Sequence, residues 1–386
     1  MISYAIDSVQ PLMVRECVEG KGKMCGAIFV DEAFQSMLQT ALGDKWKRLS
    51  TAGRKTLMNN EWEFGIKRLF NGSSQEWSVS VPVEAFSKSR LRLHRYDDKK
   101  GEVPLKGGQL KFTQNHIRTF FGTVLPHVRA LIHEQIKAVE AKFKGRSPKA
   151  ILLVGGLGSC DYLFLELQKE FEPQGISVLQ PSGARPWTAI CRGAVIRGLS
   201  DAEITSKKQS LIVSRVSRYS YGVTVNQIFN EKRHDPQDRL WDDRELCWKA
   251  FDLPRWYIRR GDDIYTDQPV QFNFYRLYAR GGELEDQRFS VTIYYNDELH
   301  APKRKTDEVR KLVTISVLVD TPFEELPVHE NDKKQIFRKV GYVMQMTSTG
   351  IEMQWKVLIN GRVQGEENVQ FLHEGVRAAG VVELAA

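Results

Sequence analysis

The chain has 386 residues, 41% of them hydrophobic and 27% charged, a size and balance that fit two or three globular domains rather than one small core. Its net charge of +8 arises from 56 basic and 48 acidic side chains of mixed sign, which argues against a nucleic-acid partner. No apolar run is long enough to cross a bilayer, and no leader pattern opens the chain. The five scattered cysteines point to reduced thiols, so a cytoplasmic protein without membrane contact is the expectation.

The first half alternates strands and helices. Met1–Ile6 and Leu12–Val18 read as two strands parted by a turn at Pro11. A helix follows Asp31 through Phe34, Met37, Leu38 and Ala41 and closes at Gly43. A second helical face runs through Met58, Trp62, Ile66 and Leu69 and stops at Asn71-Gly72. The longest helical pattern starts at Thr113 and reaches Val139, with Pro126 inside it predicting a kink or two helices that meet. Ala150–Val154 is wholly apolar, the mark of a strand buried on both faces, and Gly155-Gly156-Leu157-Gly158-Ser159 breaks it. Then come a helix from Asp161, a strand Ile176–Leu179, and a helix opening at Pro186. The small residues Ala189, Gly193, Ala194 and Gly198 of that last helix suit a close approach to a sheet.

Beyond residue 200 strands dominate. They are predicted at Leu211–Val213, Tyr219–Val225, Trp256–Arg259, Val270–Tyr278, Phe289–Tyr295, Leu312–Val319, Gly341–Met346 and Ile351–Ile359. Turns are predicted at Arg260-Gly261-Asp262, Gly281-Gly282, Ser348-Thr349-Gly350 and Asn360-Gly361. Alternation within these strands implies a half-exposed antiparallel arrangement. The expected organisation is an α/β lobe over residues 1–200, a polar linker over 201–215, a β-sandwich-like domain over 216–365 and a tail over 366–386.

A strand that ends in Gly-Gly-x-Gly-Ser and opens a helix is built to hold a ligand. Without Cβ atoms a flat or anionic group can lie against the backbone, and the free N–H groups of the helix start supply donors. A tight turn that binds nothing is the plain alternative. The spacing is neither that of a Walker A loop nor that of a Rossmann fingerprint.

Several motifs in one order resemble the seventy-kilodalton heat-shock chaperones, in a divergent branch common in fungi. They are Val154 to Ser159, Pro186-Trp187-Thr188-Ala189, Arg192 to Leu199, Ser217 to Val223 and Tyr257 to Asp262. The resemblance implies the second lobe of an actin-like ATPase (ribonuclease H-like) domain, followed by a peptide-binding β-sandwich. It implies ATP or ADP held by Gly155, Gly156, Leu157 and Gly158, with Gly26 near the phosphates. Glu63 and Lys67 (or Ile66) would hold the adenosine from the other side, and their alternative is an i, i+4 surface salt bridge. Ser159 has a plain alternative role as a helix cap.

The family's phosphate loops and first-lobe lysine have no counterpart here, and Trp187 or Thr188 replaces its adenine-side aspartate. The resemblance therefore implies no catalytic residue, weakened nucleotide binding, and Mg only if a first lobe is supplied. Partners would be extended peptides and co-chaperones. The competing expectation is a non-enzymatic protein-interaction module with a relic nucleotide lobe. The pairs His133-Glu134, His329-Glu330 and His373-Glu374 lack zinc-site spacing, and Lys303-Arg304-Lys305 reads as a solvated basic loop.

Overall fold

The computed structural model describes residues 1–86, 103–183, 185–202, 211–266, 268–281, 284, 286–348 and 352–370. Most of the expected linker, the Gly282 and Thr349-Gly350 turn residues and the tail from 371 lie outside these. The chain is mixed α/β, and its second half is largely antiparallel β. It divides into two compact units, one formed by residues 21–208 with Met1 and the other by 2–20 with 209–386.

The first strands are β1 (Ser3–Val9) and β2 (Leu12–Val18), an antiparallel hairpin. The first unit then runs through α1 (Ala27–Leu42), α2 (Asp44–Arg48) and α3 (Thr51–Thr56), which continues as a π-helical stretch over Leu57–Lys67. Helix α1 starts five residues before the expected helix, with Gly26 as its N-cap. Strands β3 (Trp77–Ser80), β4 (Leu105–Lys106) and β5 (Gln109–Phe112) form a small antiparallel sheet. Helices α4 (Gln114–Phe121) and α5 (Leu125–Lys142) meet just ahead of Pro126, because proline fits the first turn of a helix and breaks an interior. The unit closes with β6 (Ala150–Leu152), α6 (Gly155–Gly158), α7 (Asp161–Phe171), β7 (Ser177–Leu179) and α8 (Arg185–Ala202).

Its core gathers around Phe34, whose ring stacks on Trp62 at 4.3 Å with Phe112 and Phe120 against it. Two expectations fail nearby. Among the described residues strand β6 pairs only with β7, in parallel, and Leu152 is 61% exposed, so this apolar run is not buried on both faces. On α8, a Cβ added at Gly193 or Gly198 would meet open space, so these glycines serve no close approach to a sheet.

The second unit is built from β8 (Ile212–Val216), β9 (Ser220–Ile228), β10 (Arg239–Asp242), β11 (Cys247–Ile258), β12 (Asp263–Tyr265), β13 (Val270–Tyr278) and β14 (Arg288–Asn296). It continues with β15 (Arg310–Leu318), β16 (Val328–Glu330), β17 (Ile336–Ser348), β18 (Glu352–Ile359) and β19 (Arg362–Gln370). One five-stranded sheet has the order β10-β11-β9-β14-β15, and the other has β13-β17-β18-β19 with β16 beside β17. Side chains from the two sheets share one core, in which Trp355, Tyr342, Ile293 and Val317 are buried.

The remaining sheet, β1-β2-β8-β12, ties the N-terminal hairpin to this unit through a parallel β2–β8 pairing. Two side chains reinforce it. Glu16, 4% exposed, accepts the Val216 amide at 3.1 Å, and Arg260 donates to both carboxylate oxygens of Glu19 at 2.9 and 3.0 Å. The hairpin thus lies in the β-rich unit, although its sequence position is ahead of the α/β one. The Arg260-Gly261-Asp262 turn, with Gly261 at φ +91°, leads β11 into β12, which pairs with β8 of a different sheet.

Candidate functional site

The glycine turn lies where β6 gives way to α6. Gly155 has a φ of +82°, a region in which a side chain is strained, and this lets the chain reverse directly after Val154. Ser159 does not cap α7; Cys160 holds that position, and the Ser159 hydroxyl donates back to the Gly156 carbonyl at 2.7 Å. Gln180 donates to the Gly158 carbonyl at 2.8 Å and braces the turn from β7. A Cβ on Gly158 would stand 3.1 Å from the Leu153 carbonyl carbon, so this glycine serves close packing. Leu157 is partly buried against the core.

At Gly156 the space opened by the missing Cβ is taken. A Cβ there would lie 3.0 Å from Cζ3 of Trp187, so the flat group resting on this backbone is the indole. The Arg68 guanidinium lies 4.3 Å from the centre of that ring and 4.6 Å from that of Phe64, and Arg68 also donates to Glu63 at 3.2 Å. Trp187 remains 47% exposed, so the stack forms a wall of the turn rather than part of the core.

Glu63 and Lys67 do meet, one helical step apart, but their pair is not on the surface. The Lys67 side chain is 3% exposed, and its ammonium donates to Asp31 at 2.8 Å and to Glu63. Trp62 donates its indole N–H to the same Asp31 oxygen at 2.7 Å. Burial works against the Lys67 charge, but the hydrogen bonds to Asp31 and Glu63 outweigh it and hold its pKa above the usual lysine value. Cys160 sits within the field of this cluster, and its own burial pushes the thiol up to about 12. The structure therefore brings Glu63 and Lys67 beside the residue that follows the turn. Among the described residues no hydrogen bond joins Gly26 to the turn; it opens α1 with an extended backbone. As arranged, the indole fills the space over Gly156 and the Lys67 ammonium is engaged by two carboxylates. Arg68, Trp187 and Asp31 are the members of this site that the sequence reading did not assign. The position of Arg68 beside Lys67 was the available signal.

A second place stands out in the β-rich unit. The two five-stranded sheets close on each other along β15 and β19, where Gly365 lets the backbones approach; a Cβ there would lie 2.7 Å from the Ser316 carbonyl oxygen. On the opposite side, between β9–β11 and β13, a cavity of about 760 Å³ opens. Arg244, Arg255 and Arg276 line it, as does Lys249, which pairs with Asp242 at 2.8 Å and Glu245 at 2.7 Å. Arg255 is exposed and lies over the rings of Phe272 and Phe274 at 5.0 and 5.6 Å. The basic loop of the sequence reading is engaged elsewhere: Arg304 pairs with Asp235 and Asp238, and Lys305 with Asp252.

Among the described residues no group of three or more histidine, cysteine or acidic side chains could hold a metal, and no helix is long and apolar enough to cross a membrane. No curated protein matches the chain. Residues 215–361, which contain β9 to β18 and every residue lining the open cavity, match the family described as a domain of unknown function (DUF8568).

Proposed function

We propose that this chain is a non-enzymatic protein-interaction module, in which an actin-like lobe is kept as a relic and the β-rich unit does the binding. The observation that carries this reading is the Trp187 indole at Gly156, in the place a purine would take. The engagement of Lys67 by Asp31 and Glu63 supports it further, since an ammonium held by two carboxylates has little left for an adenosine. Calorimetric titration of the full chain with ATP and with ADP, each with magnesium, tests it. The expected outcome is no saturable heat. Micromolar binding that disappears in Gly156→Asp would refute the reading and restore the nucleotide-binding, chaperone-like one.

That second reading has one observation in its favour. The Arg68–Trp187 stack is half-exposed, and a purine could replace the indole under the same guanidinium. Trp187→Ala separates the two. Gain of ATP binding by the variant alone marks a blocked nucleotide site, and no gain marks a relic.

A further inference from the structure

Strand β13 ends its sheet, and its inner edge is fully used. Its residues pair with β17 from Val270↔Met346 to Tyr278↔Arg338. Which amides point the other way follows from two hydrogen bonds. The Lys339 amide, opposite Leu277, donates away from β13 to the Pro327 carbonyl at 2.8 Å, so Leu277 and Lys339 do not bond each other. The Leu277 carbonyl instead accepts from Arg244 at 2.8 Å on the outer side. Because backbone polar groups alternate along a strand, the N–H and C=O groups of Gln271, Asn273 and Tyr275 face that same outer edge. Among the described residues nothing hydrogen-bonds them.

This open edge borders the 760 Å³ cavity, whose lining includes Asn273, Tyr275, Arg244, Arg255 and Arg276. None of those three arginines pairs with a carboxylate among the described residues. Arg244 is bound to the Leu277 carbonyl, Arg276 to the Ser290 carbonyl at 2.8 Å, and Arg255 rests on aromatic rings. The two acidic groups lining the cavity, Asp242 and Glu245, share Lys249, and against them and that lysine the three arginines still leave the lining net positive. The groove thus offers a row of unused backbone donors and acceptors beside uncompensated positive charge.

We infer that the outer edge of β13 binds an extended acidic segment of a partner protein, which adds to the sheet as a strand and sets its carboxylates against Arg255 and Arg276. Main-chain hydrogen bonds supply the affinity and the arginines the selectivity. The inference rests on the interaction-module reading and names its partner class and its place.

The probe is a short end-blocked peptide of alternating valine and glutamate, fluorescently labelled and titrated onto the full chain by anisotropy. It is expected to bind, with the valine–lysine analogue weaker by about tenfold or more. Arg255→Glu, on an exposed side chain whose loss leaves the fold intact by thermal melt, is expected to weaken the glutamate peptide by a similar factor. N-methylation of the valine amides in one peptide and of the glutamate amides in another tests the strand addition. At least one of these is expected to lose binding. Equal binding of the glutamate and lysine peptides, or undiminished binding of both methylated peptides, overturns the inference. So does equal or tighter binding of a peptide made from residues 371–386, which would assign the groove to the chain's own terminus. Absence of peptide binding in a chain that also fails to bind ATP would sink the groove alone, whereas ATP binding would sink the reading beneath it.

Discussion

Replacing Lys67 with methionine removes the ammonium between Asp31 and Glu63 and leaves two carboxylates and the Trp62 indole N–H around an apolar chain of similar length. Breaking a fully buried pair from one side costs about 3–5 kcal/mol. Here the lysine side chain is 3% exposed, but Asp31 and Glu63 are 29% and 17% exposed, so water recovers part of that, and about 2–3 kcal/mol remains. For a unit of this size each kcal/mol moves the midpoint by about 2–4 °C, so the α/β unit of Lys67→Met should melt roughly 5–10 °C lower by scanning calorimetry. The double variant Lys67→Met with Glu63→Gln should recover part of the loss, because one stranded charge is gone. A melt within about 1 °C of wild type would refute the structural role argued for this lysine. It would favour instead a group kept for a ligand, whose substitution costs binding and leaves the fold alone.

Other outcomes follow from single sites. Native Cys160 should resist iodoacetamide at mildly alkaline pH while the exposed Cys191 reacts, as peptide mass spectrometry would read, because burial holds the Cys160 thiol protonated up to about 12. Since the unfolded chain releases that proton from its ordinary value near 9.0, this site also subtracts stability as pH rises from there to about 12. For Asp242, burial opposes the charge, yet the Lys249 hydrogen bond and the amides of Glu245 and Arg244 outweigh it and lower its pKa. Its stabilisation is present above the ordinary aspartate value of about 3.9 and is lost as pH falls through the lowered one. The melting difference between wild type and Asp242→Asn should therefore shrink in acid; a difference unchanged at low pH would refute the pairing. Gly222→Ala should destabilise the β-rich unit by about 1–3 kcal/mol in urea unfolding, because the new methyl would fall on the Arg255 carbonyl where β9 pairs with β11. Full stability of that variant would show that the two strands can part without cost.

Much of this architecture is legible in the residues because it depends on local rules. Pro126 marks the start of α5, Gly43 the end of α1, and the alternation in Tyr342 to Met346 marks β17. The second half was read as strands for the same reason. Strand β11 is foreseen only at its end, since Asp252 at φ +55° and Pro254 interrupt its pattern; a register shift between Ala250 and Leu253 absorbs Asp252, and Pro254 pairs in register with Thr224. The short strands β10, β12 and β16 exist through their partners and leave little trace of their own. At the glycine turn, sequence located the backbone but not what rests on it. Gly156 is permissive toward any flat group, and only the fold decides that Trp187, thirty-one positions later, supplies it.

The pairing of β2 with β8 has a consequence for biogenesis. Glu16 and Val216 are separated by 200 positions, and Glu19 and Arg260 by 241, so the α/β unit is an insertion within the β-rich one. On a ribosome the hairpin is made well before its strand partner, and a whole unit must be synthesised in between. Ile2, Tyr4 and Ile6, exposed even after folding, then wait on a ribbon with an open edge. Removing residues 2–20 should accordingly damage the β-rich unit, whose sheet loses two strands, while the unit that follows them in the chain keeps its core.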